Sequence, residues 1–377
     1  MDVSKLALGV LTFILLTVAT LLIERALGGP IERVWARGSN LIRNRRKSLL
    51  ILETSTISFG SRTFPYAIVD GIADSEFRPD SLILNIADSP LELPEPLQRR
   101  KAVIAQQMQH KAAIGERADE DGEIVYLKRF QVVRPPTKAE SPELRLWLGR
   151  ATWFDFLATN MSLDEPMVFG TDGQEIVETI RQHYLSDHRW GEPGAQPPQW
   201  FSNTLGIVVA LITSDRQLIL TRRSGSVGTR ASVFNIPING GVHPSFDRAA
   251  VQGHIDPFRS ITREATEELG IPLTEDQIHI FALGVDTEYG MWNLLGFAES
   301  QLTAAEVQEH FQLRARDRHE TRQLIVCPFD TPHDVVTFVL SHQEWSPGAI
   351  ACLKCLLHSR FSSRSIDNAI RAASKAP

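Results

Sequence analysis

The run Asp256-Pro-Phe-Arg-Ser-Ile-Thr-Arg-Glu-Ala-Thr-Glu-Glu-Leu-Gly-Ile271 constrains this chain more than any other stretch, because both ends of a short helix are written into it. Asp256 suits the N-cap, Pro257 the first helical position, where no amide hydrogen is needed, and Gly270 the left-handed residue that ends the last turn. The pattern predicts a helix over 257–269. At about 100° per residue, Phe258, Ile261, Ala265 and Leu269 form one apolar stripe; Glu264 and Glu268 stand about 40° apart on its flank, with Glu267 about 60° from Glu264. The stripe is expected to pack and the acids to face out together. Glu267 and Glu268 lie in the final turn, where the helix dipole opposes them and Arg263 compensates only in part, so the arrangement calls for a cation. The competing reading of Arg-Glu-x-x-Glu-Glu is a solvated helix face. The cap, the Gly-Ile that follows and the strand-like runs on either side weigh against it.

The block from Arg263 to Ile271 resembles the core of the Nudix box, Arg-Glu-U-x-Glu-Glu-x-Gly-U with U apolar, and matches it at all seven specified positions. The resemblance implies an α/β fold, an α/β/α sandwich with a mixed sheet. It also implies hydrolysis of a diphosphate linkage in a nucleoside diphosphate derivative, with Mg²⁺ or Mn²⁺ held by the helix glutamates. Carried over residue by residue, Glu264 and Glu268 are the principal metal ligands, Glu267 a further ligand or base, and Arg263 an orienting partner for a carboxylate. Glu320 is the candidate general base, ahead of Asp317 and His319. Upstream the sequence departs from the pattern, whose glycine and acid positions fall on Ala249 and Ile255. Gly241 is, however, followed after five residues by Asp247. Asp247 joins the expected ligands if about eight residues are inserted before the helix, and loop length costs little entropy.

The region expected to carry this helix is 201–362. Residues 205–213 are a nearly continuous apolar run and read as a strand buried on both faces, with 217–223 as its hairpin partner. Arg222 and Arg223 end that strand, as phosphate-binding groups or as surface charges. Gly240 and Gly241 permit close backbone approach to a ligand or a tight turn. Residues 278–285 and 291–298 read as a second hairpin, and a strand is expected over 323–328. A Pro- and Gly-rich linker at 193–200 separates this region from a smaller α+β region at 48–192. There, strands are expected at 49–52, 54–59, 67–71, 124–127 and 130–133, and helices at 97–113 and 174–185. Trp147, Trp153, Phe154 and Phe156 are expected to pack this region against the other, base stacking being the alternative. The tail at 363–377 reads as polar and loosely held.

Residues 6–23 carry no charge over a length that crosses a bilayer, predicting one transmembrane helix within 1–28; a cleaved signal peptide is the rival reading. The arginine-rich segment 29–47 that follows places the bulk of the chain on the cytoplasmic side. A net charge of -6 argues against a nucleic-acid partner. Cys327, Cys352 and Cys355 fit a reducing compartment, and the Cys352-x-x-Cys355 pair sits in an apolar helical run that reads as core. These readings combine into a membrane-anchored, metal-dependent hydrolase whose partners are the bilayer and a nucleoside diphosphate-type molecule. The alternative is a Nudix-like module that binds or senses a nucleotide without cleaving it.

Overall fold

Every residue of Leu205–Ile212 is buried. Ile207, Val209 and Leu211 share a core with Ile261, Ala265 and Leu269 of the acidic helix, while Val208, Ala210 and Ile212 pack with Ile350, Leu353 and Leu357 of the helix Pro347–Arg360. An unbroken apolar run thus becomes a strand between two helical layers. The computed structural model describes residues 56–374, apart from 72–75, 134–141, 171–174, 193–194, 226, 228 and 252. The expected span at 6–23, the basic segment 29–47 and the strand at 49–52 lie outside them. Among the described residues no helix is long and apolar enough to cross a membrane.

The central sheet runs Phe234–Asn235, Gln217–Arg223, Leu205–Ile212, Met291–Glu299, Ile278–Asp286, Tyr66–Asp70, with Ile238–Gly241 and Thr321–Pro328 attached beside it. It is mixed: Leu205–Ile212 and Met291–Glu299 are parallel, and the other pairs antiparallel. One edge of Leu205–Ile212 serves two neighbours. Leu211 and Ile212 pair with Gln217–Arg223, whereas Gly206 to Val209 pair with Ile238–Gly241. Where these two neighbours part, a cavity opens.

A second sheet runs His254–Ile255, Leu82–Pro90, Glu143–Thr152, Glu123–Val133. Strand pairing crosses the Pro-rich stretch in both directions: Tyr66–Asp70 extends the central sheet beside Ile278–Asp286, and His254–Ile255 extends the second sheet beside Leu84 and Asn85.

Three local readings change. The helix expected at 174–185 is a strand, Ile176–Thr179, paired with Pro166–Phe169 and followed by the short helix Ile180–Tyr184. β-Branched Ile176 and Val177 favour the extended form, and Thr179 opens the helix by accepting from the Gln182 amide. The strands read at 124–127 and 130–133 are one strand, Glu123–Val133, with a register irregularity between Leu127 and Arg129. The tail is no loose end: Ser362 caps the helix Ser363–Ala373, which buries Ile366 and Ala369 among Val336, Val339 and Leu357. That i, i+3 spacing, continued by Ile370, is an amphipathic signal that a mostly polar composition hides.

Candidate active site

The acidic helix spans Pro257–Leu269. The Asp256 carboxylate accepts from the Phe258 amide at 2.9 Å, and Gly270 takes φ 69°. Phe258, Ile261, Ala265 and Leu269 are buried as the stripe requires. The acids depart from the expectation of a common exposed face. Glu264 is only 8% exposed, tucked under Gly240, where an added Cβ would lie 2.1–2.3 Å from the carboxylate atoms. Gly240 is therefore fixed by close approach. At Gly241 an added Cβ would meet nothing within 4 Å. Gly240→Ala is accordingly expected to lower catalytic efficiency by about 100-fold, the scale of a 1 Å misplacement, with Gly241→Ala near neutral; steady-state kinetics on both variants checks this.

Arg263 organises the other acids. Its Nε and Nη2 donate to the two Asp247 oxygens at 2.9 Å each, its Nη1 to Glu264 at 2.7 Å and Glu267 at 3.0 Å, and its Nη2 also to the Gly241 carbonyl at 2.9 Å. Burial alone would lower the guanidinium pKa, but Asp247 and Glu264 more than reverse this and hold it charged. Asp247 is completely buried. Its Oδ2 also accepts from the His243 amide and the Ser260 hydroxyl, both at 2.8 Å.

The inserted residues are 248–255, and their ends meet. The Asp256 amide donates to the Asp247 carbonyl at 2.8 Å, and Arg248 bridges Ile255. The loop is thus closed at its base, and Asp247 stands against the helix as though the insertion were not there. Expected among the metal ligands, Asp247 has its carboxylate oxygens engaged by Arg263, Ser260 and the His243 amide.

Burial pushes Glu264 up to about 7, against the pull of Arg263. Glu268, partly open to the cavity, is held well above the usual carboxylate range by its enclosure and then by Glu264, with Arg223 pulling the other way. Glu267 bonds Arg316 as well as Arg263, at 2.5 and 3.0 Å. Among the described residues, no three His, Cys, Asp or Glu side chains are gathered closely enough to hold a metal ion as they stand. The donor set nevertheless suits a hard divalent cation. Enclosure raises the proton affinity of both Glu264 and Glu268, and Glu264 adds to the rise at Glu268; all the donors are oxygen, and such carboxylates are what Mg²⁺ takes.

These residues line a cavity of about 740 Å³. Glu264, Glu267, Glu268, Arg223, Asp317 and Glu320 contribute to it, and so do Gly240 and Gly241. Glu320 stands 3.7 Å from Arg223. His319 is exposed and does not line the cavity. The two arginines of Gln217–Arg223 go to opposite sides, as a pleated strand dictates. Arg223 lines the cavity, whereas Arg222 pairs with Glu344 at 2.8 Å and lies over the Phe234 ring.

The 48–192 region also reaches the cavity, through Arg117, Trp153 and Phe156. The Trp153 indole N–H is held by Asp119 at 3.1 Å, and its ring lies 5.2 Å from Phe156. Trp147 is elsewhere, stacked with Arg129. Sequence reasoning missed Arg230, which pairs with Asp286 at 2.5 Å and Glu288 at 2.7 Å and lines the cavity. It also missed Asn235, Asn239 and Asn293, which come from separate strands and have no spacing to reveal them. Cys352 and Cys355 are free thiols in the helix Pro347–Arg360, and burial pushes Cys355 up to about 12.

No protein-family model matches this sequence. Uridine diphosphate glucose pyrophosphatase NUDT22 from Bos taurus is 27% identical over 205 residues, covering 50% of this chain and 63% of the relative. The Homo sapiens protein of the same name is 26% identical over 200 residues, 49% of this chain and 59% of its own length. The chain thus spans less than two thirds of the curated relatives it matches. These similarities support the Nudix superfamily. A solved structure, DR0079 from Deinococcus radiodurans, aligns with a TM-score of 0.30 and 15% identity, over 40% of this chain and 82% of that one.

Proposed function

We propose that this chain is a metal-dependent hydrolase of a diphosphate linkage in a nucleoside diphosphate derivative, with a UDP-sugar as the first substrate class to try. The observation that carries the reading is the buried Glu264 and partly open Glu268 side by side in one cavity, under Gly240 and facing Arg223 and Glu320. The names of the relatives support the substrate class.

In this reading Glu264 and Glu268 would hold Mg²⁺ or Mn²⁺, which when bound would supply charge neutralisation at the phosphoryl oxygens and make the attacking water more acidic. Arg263, held by Asp247, keeps Glu264 and Glu267 in place. Arg223 faces the phosphates. Glu320 takes the proton of the attacking water; the water oxygen bonds to phosphorus, the bridging P–O bond breaks, and the bridging oxygen leaves with the second phosphate. A UDP-sugar would yield UMP and a sugar phosphate. Incubating the full chain with UDP-glucose and Mg²⁺ tests this, and an absence of both products for every nucleoside diphosphate derivative tried would refute it.

One observation favours the second reading, a binding module without turnover. Arg263 Nη1 donates to Glu264 Oε1 and Glu267 Oε2 together, so both acids already have a cationic partner supplied by the protein.

A further inference from the structure

Arg230, which the proposed reaction does not use, lines the cavity with its backbone in the left-handed region at φ 50°. A residue that carries a Cβ stays there only where its surroundings hold it, and such positions gather at ligand-facing walls. Here the side chain supplies the hold. Its Nη2 donates to Asp286 at 2.5 Å, its Nη1 pairs with Glu288 at 2.7 Å, and the guanidinium lies 4.7 Å from the centre of the Tyr289 ring. Two carboxylates and a ring, all at the turn that ends Ile278–Asp286, thus fix one residue of the cavity wall.

The 48–192 region grips the same turn. Arg181, paired with Asp164 at 2.8 Å, donates its Nη2 to the Glu288 carbonyl at 2.8 Å. The Asn160 side chain donates to the Tyr289 carbonyl at 2.7 Å. Trp190 packs over Gly290, where an added Cβ would lie 2.4–2.8 Å from its ring. Asp286 closes the turn from within, its Oδ1 accepting from the Glu288 and Tyr289 amides at 2.9 and 3.4 Å. Arg230 carries this grip to the ligand side. Residues 224–233 join Gln217–Arg223 to Phe234–Asn235, and Val227, Thr229 and Arg230 of this segment line the cavity.

We infer that Arg230 is a positioning residue, the latch through which the 48–192 region sets the part of the cavity wall formed by 224–233. It touches no reacting atom in this role. Its loss acts on how the ligand is held and leaves the chemical step intact, so KM moves and kcat does not. Arginine is required because its planar fork meets two carboxylates at once and lies over a ring, whereas a lysine ammonium is a single point charge. The 48–192 region thereby gains a part in the site beyond its aromatic lining. The kinetic consequence rests on the reading of this chain as a hydrolase; the structural one does not.

Hydrogen exchange on the ligand-free full chain tests the latch, in wild type, Arg181→Ala, Arg230→Lys and the double variant. Arg181→Ala is expected to speed exchange over 224–233 by about fivefold, the scale of one lost hydrogen bond, while Leu205–Ile212 exchanges as in wild type. In the double variant 224–233 exchanges no faster than in Arg230→Lys alone, since the latch is already open. No change over 224–233 in Arg181→Ala, full addition in the double variant, or an equal rise over Leu205–Ile212 overturns the latch. If Arg230→Lys fails to fold, Arg181→Ala decides alone. Steady-state kinetics with UDP-glucose and Mg²⁺ is the second arm, in which Arg230→Lys should raise KM about tenfold with kcat within about twofold of wild type. An unchanged KM, or a fall in kcat at constant KM, overturns the positioning role. If wild type turns over no UDP-glucose, the hydrolase reading fails and the exchange result still decides the latch.

Discussion

Arg263→Ala is expected to abolish activity and to destabilise the fold by about 3–5 kcal/mol, the cost of stripping one partner from a buried ion pair. The Asp247 side chain is 1% exposed and receives two guanidinium hydrogen bonds. Without Arg263 it keeps only the His243 amide and the Ser260 hydroxyl. Those bonds do not neutralise a carboxylate in a dry site. Adding Asp247→Asn should recover much of the stability, since the uncompensated charge is gone, but none of the activity, because Glu264 and Glu267 still lack the group that orients them. Denaturant unfolding of the two variants and wild type checks this. An Arg263→Ala protein as stable as wild type would mean that the pair is not a structural necessity.

Glu264→Gln and Glu268→Gln are expected to act in opposite directions on activity and on metal-free stability. If Glu264 and Glu268 hold the metal as proposed, removing either carboxylate forfeits several kcal/mol of transition-state stabilisation, so kcat/KM should drop by about 10²–10⁴-fold. Stability runs the other way. Glu264 has a folded pKa of about 7, above the ordinary 4.5, so below 4.5 both states carry the proton and its ionisation costs nothing. As pH rises from 4.5 to 7, the unfolded chain ionises first and folding is penalised increasingly. Glutamine avoids that penalty. In EDTA the melting temperature of Glu264→Gln should therefore gain on wild type as pH rises through this window, and added Mg²⁺ should narrow the gap by stabilising wild type. Parallel melting curves at acidic and neutral pH measure it; a constant difference would contradict the burial of an ionisable Glu264. Mg²⁺ affinity should also strengthen with pH, because ligation expels protons.

The acidic helix was legible in the sequence because everything that defines it is local. The cap, the stripe and the closing glycine lie within sixteen residues, and the strands around it announce themselves by unbroken apolar runs. The insertion was legible as a count. That residues 248–255 close on themselves and dock on another sheet was not, since it depends on pairing with Leu84 and Asn85, far away in sequence. The burial of Glu264 depends likewise on Gly240 crossing above it. Helical periodicity gives the direction of a side chain but not what lies over it. Arg222 and Arg223 could have been separated by strand alternation alone, which sends neighbours to opposite faces. Asn235, Asn293 and Arg230 carry no such mark, because they come together only when the sheet forms. The aromatic segment at Trp153 was visible as a cluster, but its place on the cavity wall was not, since that depends on contacts distant in sequence.

The most direct test of the account is product analysis of UDP-glucose incubated with the full chain, with Mg²⁺ and with EDTA, beside Glu268→Gln. The account predicts UMP and glucose phosphate in equal amounts from wild type, none with EDTA, and a rate lower by about 10²–10⁴-fold in the variant. Hydrolysis undiminished in both EDTA and Glu268→Gln would contradict a metal site built on the acidic helix.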